Sequence, residues 1–581
     1  MFVENVAEDK NFKGECRMQG WLFGINVKID ASLFENEKGC LEEFGSGYLY
    51  TNLLHKFHKD CVKKNGKIFL EGVITNKAEL MELEEQMTWE EIIEKSVGQS
   101  EFPGKLRGSF CGYYFDAQEN VVFFTDHVAG KSLFYYSSED QIIASTRLEW
   151  LVKTLKYNKL NYTIDENAIK YMLTYGFMLD DSTYVTQIKK ILPGHKLVYK
   201  KGKTKEIRYH SFVMQSLQNV SEEEAMKMID DAFRMAVKRE FEKDREYGYK
   251  HLVDLSGGLD SRMVSWVAHE MGYQNQTNIA YCKAEYLDYK ISSQIAKDLK
   301  HEYYFKQLDD IQWLYEIEEI LKLNNGMALF SGVTGGKQFL ELLNPELYGV
   351  EHTGMLGDVI LSTYAQSVEE ALQKPKFGLR QYSTKLKFEY NSQLLDKYES
   401  QEMFDIYTRG FLGILATYGI RQNYLEVGSP FLDVDFIDVC FSIPLKYRVN
   451  HNIYIKWMNK YYEESAKYGW EKWHGIPPKM ENLFWKKAAG VFREGKRHLR
   501  YMLGYKLNDS MNPFEYWYEK DDEMRRFING YYDAHISKCV VSKELKENIE
   551  KMFKQGTSLE KCQVLTVIGM VKMCLEENKW N

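Results

Sequence analysis

The chain is short of proline, with 9 in 581 residues. That excludes long Pro-rich spacers. Cysteine is scarce too: Cys16, Cys40, Cys61, Cys111, Cys282, Cys440, Cys539, Cys562 and Cys574, none in C-x-x-C spacing. An odd, scattered set speaks against a disulfide scaffold or a zinc framework and for reduced thiols, so a cytoplasmic location is expected. No long hydrophobic run is present. The longest uncharged apolar stretch, 410–420, lies between Arg409 and Arg421 and is too short to cross a bilayer. Residues 1–10 carry acids and no apolar core, so neither a secretory signal nor a membrane partner is expected. Charge of one sign is also missing. Against 84 Asp and Glu stand 76 Lys and Arg, net −8, which disfavours a nucleic-acid partner.

What remains is an ordinary globular composition, 44% apolar and 28% charged. The length accommodates two large domains. The first 200 or so residues read mostly as short strands, at 67–73, 112–115, 120–124, 133–136 and 196–199, bounded by Gly, Asp or Asn. Helices are expected at 88–94 and 166–173. The pattern then changes. Ser221 with Glu224 forms a capping box, and an amphipathic helix follows to about Lys243. Strands at 251–255, 277–282 and 302–305 alternate with helices at 259–271 and 287–300. Such alternation predicts a parallel α/β sheet, and the rest of the chain reads as helical. The boundary belongs near 210–220, giving domains 1–212 and 213–581.

Between the first strand of the second domain and its helix lies Leu255-Ser256-Gly257-Gly258-Leu259-Asp260-Ser261. Adjacent glycines let the backbone pass close to a ligand and allow positive φ. The helix start presents free N–H groups and the positive end of its dipole, and two hydroxyls add donors. Together these make a nest for pyrophosphate. Asp260 would repel a phosphate by itself, so it reads as a ligand for Mg²⁺. An ordinary Ser-capped turn is the plainer alternative. The loop lacks the Gly-Lys-Ser/Thr ending of a P-loop.

This string resembles the pyrophosphate (PP) loop of the ATP-pyrophosphatase superfamily, whose members activate a substrate as an adenylate. Gly354-Met355-Leu356-Gly357-Asp358 is similar to the second metal loop of the asparagine synthetase-like family, with Asp358 on its Mg²⁺-holding Asp. Ser429-Pro430-Phe431-Leu432-Asp433 resembles that family's "PFLD" stretch. Segments 106–110 and 126–135, and Leu192-Pro193-Gly194-His195, are similar to class II glutaminase-like domains. The resemblance covers about residues 65–480. It implies an Ntn-hydrolase-like α+β domain followed by a parallel-sheet adenine nucleotide α-hydrolase-like domain with a helical C-terminal part, using ATP and Mg²⁺.

The departures concern both halves. The family's nucleophile is an N-terminal Cys, whereas this chain reads Met1-Phe2-Val3 and its first Cys is Cys16. The family's oxyanion Asn-Gly pair appears as Glu71-Gly72, and a carboxylate repels an oxyanion. Glutamine hydrolysis is therefore not expected. In the second metal loop two family Glu positions hold Met355 and Val359, leaving Asp260 and Asp358 as the metal pair. Alone, Asp358 would read as a helix N-cap. A cation is also needed against the charge on the phosphates, and the resemblance puts forward Lys456 and Lys479 as catalytic. Lys486, Lys487, Arg493, Lys496, Arg497 and Arg500 read as one solvated helix face or as an anionic-partner surface. Structural roles are expected of His127, His195 and His352.

The reading is a ligase that forms an acyl-adenylate from a small-molecule or peptide carboxylate and passes the acyl group to ammonia or an amine; a homodimer is allowed. Rival readings are a glutamine-hydrolysing asparagine synthetase, a macrocyclase or lactam synthetase, amidation of a surface-glycan sugar acid, and a non-catalytic scaffold.

Overall fold

The computed structural model describes residues 18–34, 39–54, 56–215, 217, 219–333, 336–482, 490 and 511–575. Seventeen strands form three sheets among them. In the first half, β1 (Gly20–Ile25), β2 (Cys40–Phe44), β3 (Gly47–Asn52), β4 (Val62–Lys64), β5 (Ile68–Ile74) and β6 (Gly108–Phe115) are followed by β7 (Val121–Thr125), β8 (Phe134–Ser137), β9 (Ile142–Ser145), β10 (Ile188–Lys190), β11 (His195–Lys200) and β12 (Lys203–Arg208). They build two antiparallel six-stranded sheets, ordered β10-β8-β9-β1-β3-β2 and β12-β11-β7-β6-β5-β4.

Period-2 alternation sets the layers. Trp21 and Phe23 of β1, Cys111 and Tyr113 of β6, and Val121 and Phe123 of β7 meet in one core between the two sheets. Their neighbours Phe110, Tyr114, Val122 and Phe124 point the other way, onto the Trp89–Val97 helix. Leu22 faces the Leu148–Tyr157 and Glu166–Tyr175 helices outside the other sheet. The result is an Ntn-hydrolase-like α+β arrangement of two facing sheets with helices outside.

In the second half, β13 (Lys250–Asp254), β14 (Gln276–Cys282), β15 (Glu302–Gln307), β16 (Tyr348–His352) and β17 (Glu426–Gly428) form one parallel sheet, ordered β15-β14-β13-β16-β17. The 26-residue Glu222–Tyr247 helix packs on it, opened by the Ser221–Glu224 capping box and closed by Gly248 at φ 77°. The Asp260–Glu270 helix follows β13, and Leu287–Leu299 follows β14. Helices Asp522–His535, Lys543–Gln555 and Ser558–Leu575 share a single core with Trp150, Met172 and Trp313. The end of the chain therefore packs against the outer helices of the first half. Among the described residues no helix is long and apolar enough to cross a membrane.

Candidate active site

In a parallel sheet, loops at the carboxyl edges of the strands converge. Here the loops after β13, β14 and β16 enclose a cavity of about 420 Å³. Leu255, Ser256, Gly258, Asp260 and Ser261 line one wall, and Gly354, Met355, Leu356 and Asp358 the other. Gly257 and Leu259 belong to the same turn without lining it.

The turn is knotted by its own side chains. Ser261 Oγ accepts from Ser256 N (2.9 Å), Ser256 Oγ from Gly258 N (3.1 Å), and Asp288 from Gly257 N (2.6 Å). The two glycines do not have the positive φ expected of them from sequence. Their value is the missing Cβ: at Gly257 one would lie 3.1 Å from Asp288 Cα. The contact between the two loops is tighter still. A Cβ on Gly354 would stand 2.3 Å from Ser261 N and 2.5 Å from the Asp260 carbonyl carbon, so the second loop lies directly on the first.

This close approach sets Asp260 against Asp358. Burial pushes the Asp260 carboxyl well above its ordinary range, and the Asp358 charge adds to the rise. Tyr454 donates to Asp260 Oδ1 at 2.8 Å. Asp358 is likewise raised by burial, with Lys472 and then Arg409 among the groups drawing it back. Two buried carboxylates lining one cavity, one of them raised further by the charge of the other, are a donor set suited to a hard cation such as Mg²⁺. The first-turn N–H groups of the Asp260–Glu270 helix add a field for anions.

The two lysines put forward from sequence sit elsewhere. Lys456, on the Asn452–Tyr461 helix, pairs with both oxygens of Glu222 at 2.8 Å and does not line the cavity. Lys479 follows Pro478, its backbone N donating to Pro477 O at 2.8 Å, and does not line it either. Sequence reading missed Lys472, which does not line the cavity either. Its charge acts on both carboxylates, and its Nζ lies 3.2 Å from His451 Nε2. Its turn is fastened to the first loop: Glu471 N donates to Gly257 O (3.1 Å), and the buried Arg262 donates to Ser465 O (3.2 Å), Tyr468 O (3.3 Å) and Gly469 O. The available signal was the compact Gly469–Gly475 turn, which ends just before Lys479.

His352 was expected to be structural. It is buried on β16, its Nδ1 2.7 Å from Glu240 and its Nε2 2.8 Å from Asp244. His251 Nδ1 is 3.1 Å from Asp244. Asp244, His251 and His352 together offer three atoms close enough for a metal. Both ring nitrogens of His352 face carboxylates, however. Burial opposes its charge, but Asp244 and Glu240 raise it to about 9, so the ring is an imidazolium that donates twice. His127 Nε2 donates to Gly104 O (3.2 Å) and His195 Nδ1 to Pro193 O (2.8 Å), both turn contacts.

In the first half, Glu71 lies on β5 with Lys131 Nζ at 2.8 Å, and the same ammonium reaches Glu426 of β17 at 3.0 Å. Burial opposes the Lys131 charge, but Glu426 and Glu71 outweigh it and hold the group well above its ordinary range. Phe2, Cys16 and the basic run Lys486, Lys487, Arg493, Lys496, Arg497 and Arg500 lie outside the described residues.

A family model described as a glutamine amidotransferase domain matches residues 89–210. Asparagine synthetase [glutamine-hydrolyzing] 1 of Bacillus subtilis (strain 168) is 25% identical over 414 residues, 60% of this chain and 63% of that relative. This chain thus spans less than two thirds of that relative's length. Among solved structures, an allosteric regulatory enzyme of purine biosynthesis aligns at TM-score 0.22 and 9% identity, over 51% of this chain and 76% of that one. A B. subtilis glutamine phosphoribosylpyrophosphate amidotransferase aligns at 0.21 and 11%, over 51% and 86%. Scores that low say nothing about what this chain does. The family and sequence matches together support an asparagine synthetase-like family for the chain.

Proposed function

We propose that the chain is an ATP-dependent carbon–nitrogen ligase. It activates a carboxylate as an acyl-adenylate, releases pyrophosphate, and passes the acyl group to ammonia or an amine. The observation that carries this reading is the apposition of the Ser256–Ser261 turn and the Gly354–Asp358 loop across one cavity, with Asp260 facing Asp358. The B. subtilis relative, whose name is that of an amide-forming enzyme, agrees with it.

The nest of helix-start N–H groups would hold the pyrophosphate portion of ATP. Asp260 and Asp358 would hold Mg²⁺, which when bound supplies neutralising charge to the phosphate oxygens. Lys472 is placed to answer the charge that grows on the leaving pyrophosphate, through a turn hydrogen-bonded to the nest itself. Lys456, held by Glu222, is placed to brace the Glu222–Tyr247 helix instead.

Nitrogen comes from a source other than glutamine hydrolysed in the first half. Glu71 occupies the expected oxyanion position and is engaged by Lys131, so no neutral amide donor stands there.

The test is ATP–pyrophosphate exchange on the full chain against a panel of carboxylic acids, with nucleotide products resolved. Acid-dependent exchange and AMP are expected. ADP and phosphate as the only products would remove adenylation from the reading.

A further inference from the structure

The charges on the wall of the active-site cavity are all of one sign. Among the described residues that line it are Asp254, Asp260, Asp288 and Asp358, and no Lys, Arg or His. Asp260 and Asp358 are the facing pair already described. Asp288 accepts from Gly257 N at 2.6 Å. Asp254 accepts from Arg421 Nη1 at 3.0 Å, and that guanidinium is shared with Glu351 and does not line the cavity. Lys472 and Arg409, whose charges act on Asp358, do not line it either.

Away from the aspartates the wall is apolar. The Ser256–Ser261 turn follows β13, which lies between β14 and β16 in the sheet, so a ligand anchored on the turn has two flanks. At the end of β14 stand Ile279, Ala280 and Tyr281. Past β16 stand Met355 and Leu356, which share a core with Ile414 of the 406–414 helix. Met511 adds a further apolar side chain from the last part of the chain. Whichever flank receives the purine of ATP, the acid is left with an apolar one.

The carboxylate that reacts would be answered by the metal that Asp260 and Asp358 hold. A second anionic group on the same acid would have no cation to meet. It would be desolvated beside aspartates, which costs at least about 10²-fold in affinity. A chain of hydroxyls would lose its water against Met355 and Ile414 without regaining hydrogen bonds.

We infer that the acid activated here is a monocarboxylic acid with an apolar body. The inference deepens the ligase reading and rests on it. It also separates that reading from two rivals, because amide formation on aspartate brings a second carboxylate and a sugar acid brings the hydroxyls.

The experiment is ATP–pyrophosphate exchange on the full chain with acids of matched length. Butanoate, succinate and aspartate share one carbon count; hexanoate and galacturonate share another; phenylacetate is a bulkier apolar acid. The kcat/KM for exchange should rise at least about tenfold from butanoate to hexanoate. Succinate and aspartate should fall at least about 10² below butanoate, and galacturonate below hexanoate. A second readout needs no turnover: thermal unfolding with Mg²⁺ and α,β-methylene ATP, in which hexanoate should stabilise saturably and succinate should not. Exchange with succinate, aspartate or galacturonate that matches the apolar acid of the same length overturns the inference and leaves the ligase reading. Hexanoate-specific stabilisation without exchange for any acid removes the ligase reading and leaves the selectivity of the cavity. Neither exchange nor selective stabilisation removes both.

Discussion

Replacing Gly354 and Gly258 by alanine should separate loop packing from ligand access. At Gly354 the added methyl would meet Ser261 N at 2.3 Å, the Asp260 carbonyl carbon at 2.5 Å and Asp260 Cβ at 2.8 Å. Two of these atoms are backbone at the start of a helix, which no rotamer change relieves. Gly354 does not have a positive φ, so the cost is steric alone. Restoring ordinary contact means moving one loop by roughly 1 Å. Overpacking of that kind costs ~1–3 kcal/mol, and a 1 Å misplacement of catalytic groups costs ~10²-fold in rate. At Gly258 the nearest atom to a new methyl is the Ser256 hydroxyl at 3.1 Å, a side chain that can turn aside. Gly258→Ala should therefore keep wild-type stability within ~0.5 kcal/mol. Gly258 nevertheless lines the cavity, so its methyl should block a phosphate. The assay is denaturant unfolding of each variant, paired with equilibrium binding of ATP and Mg²⁺. Gly354→Ala should lose stability and binding together, and Gly258→Ala binding alone. A Gly354→Ala protein as stable as wild type, or a Gly258→Ala protein with undiminished ATP binding, would refute the assignment of the loops.

Asp260→Asn or Asp358→Asn should lower Mg²⁺-dependent ATP binding by more than the ~10–100-fold typical of residues that only support a ligand. Each also removes half of a repelling pair, so the unfolding midpoint without Mg²⁺ should stay level or rise; a marked fall would contradict the pairing. Lys472→Ala should reduce ATP–pyrophosphate exchange far more than Lys456→Ala, and the opposite order would return the role to Lys456. His352, raised by its carboxylates to about 9 in the fold, adds stability that is complete below its ordinary value of 6.5 and is lost as pH rises through about 9. The shift is worth about 3 kcal/mol at ~1.4 kcal/mol per unit, so denaturation midpoints of wild type and His352→Gln should converge above pH 9. Glutamine should release no glutamate above background in a coupled assay; steady release abolished by Cys16→Ala would reverse the reading of Glu71.

The parts most legible in the sequence were those where local chemistry decides structure. Ser221 and Glu224 announced their helix because a reciprocal cap is a local hydrogen-bond pattern. β13 and β14, inside the parallel sheet, read as short apolar runs because both faces are covered. By contrast, β2 and β12 escaped: their residues are largely exposed or polar, and they pair at sheet edges. β17 escaped because three residues carry no periodicity. At the site, Asp260 and Asp358 were readable because glycine-rich turns mark close approach. Lys472 was not, since its placement depends on Arg262 and Gly257 gripping its turn from a distant part of the chain. The glycines were read for close backbone approach and for positive φ, and only the first is used.

The "PFLD" segment shows how a resemblance can point to a region while leaving its work unsaid. Asp433 caps the Val434–Ser442 helix, accepting from Asp435 N (3.0 Å) and Phe436 N (3.2 Å), and also pairs with Arg239 at 3.0 Å. Arg239 reaches Glu79 (2.7 Å) and Asp435 (2.6 Å), and Asp435 takes Arg107 of the first half at 2.9 Å. Nearby, the fully buried Asp60 accepts from Ile74 N and from Lys243 and Tyr247 of the Glu222–Tyr247 helix, each at about 3.0 Å. Breaking one partner of a buried pair of this kind costs ~3–5 kcal/mol, because the charge left behind has no water to turn to. The first half is thus bound to the second by charges that neither could bury alone. Asp60, Lys131 and Arg107 of the first half pair with Lys243, Glu426 and Asp435 of the second across the seam.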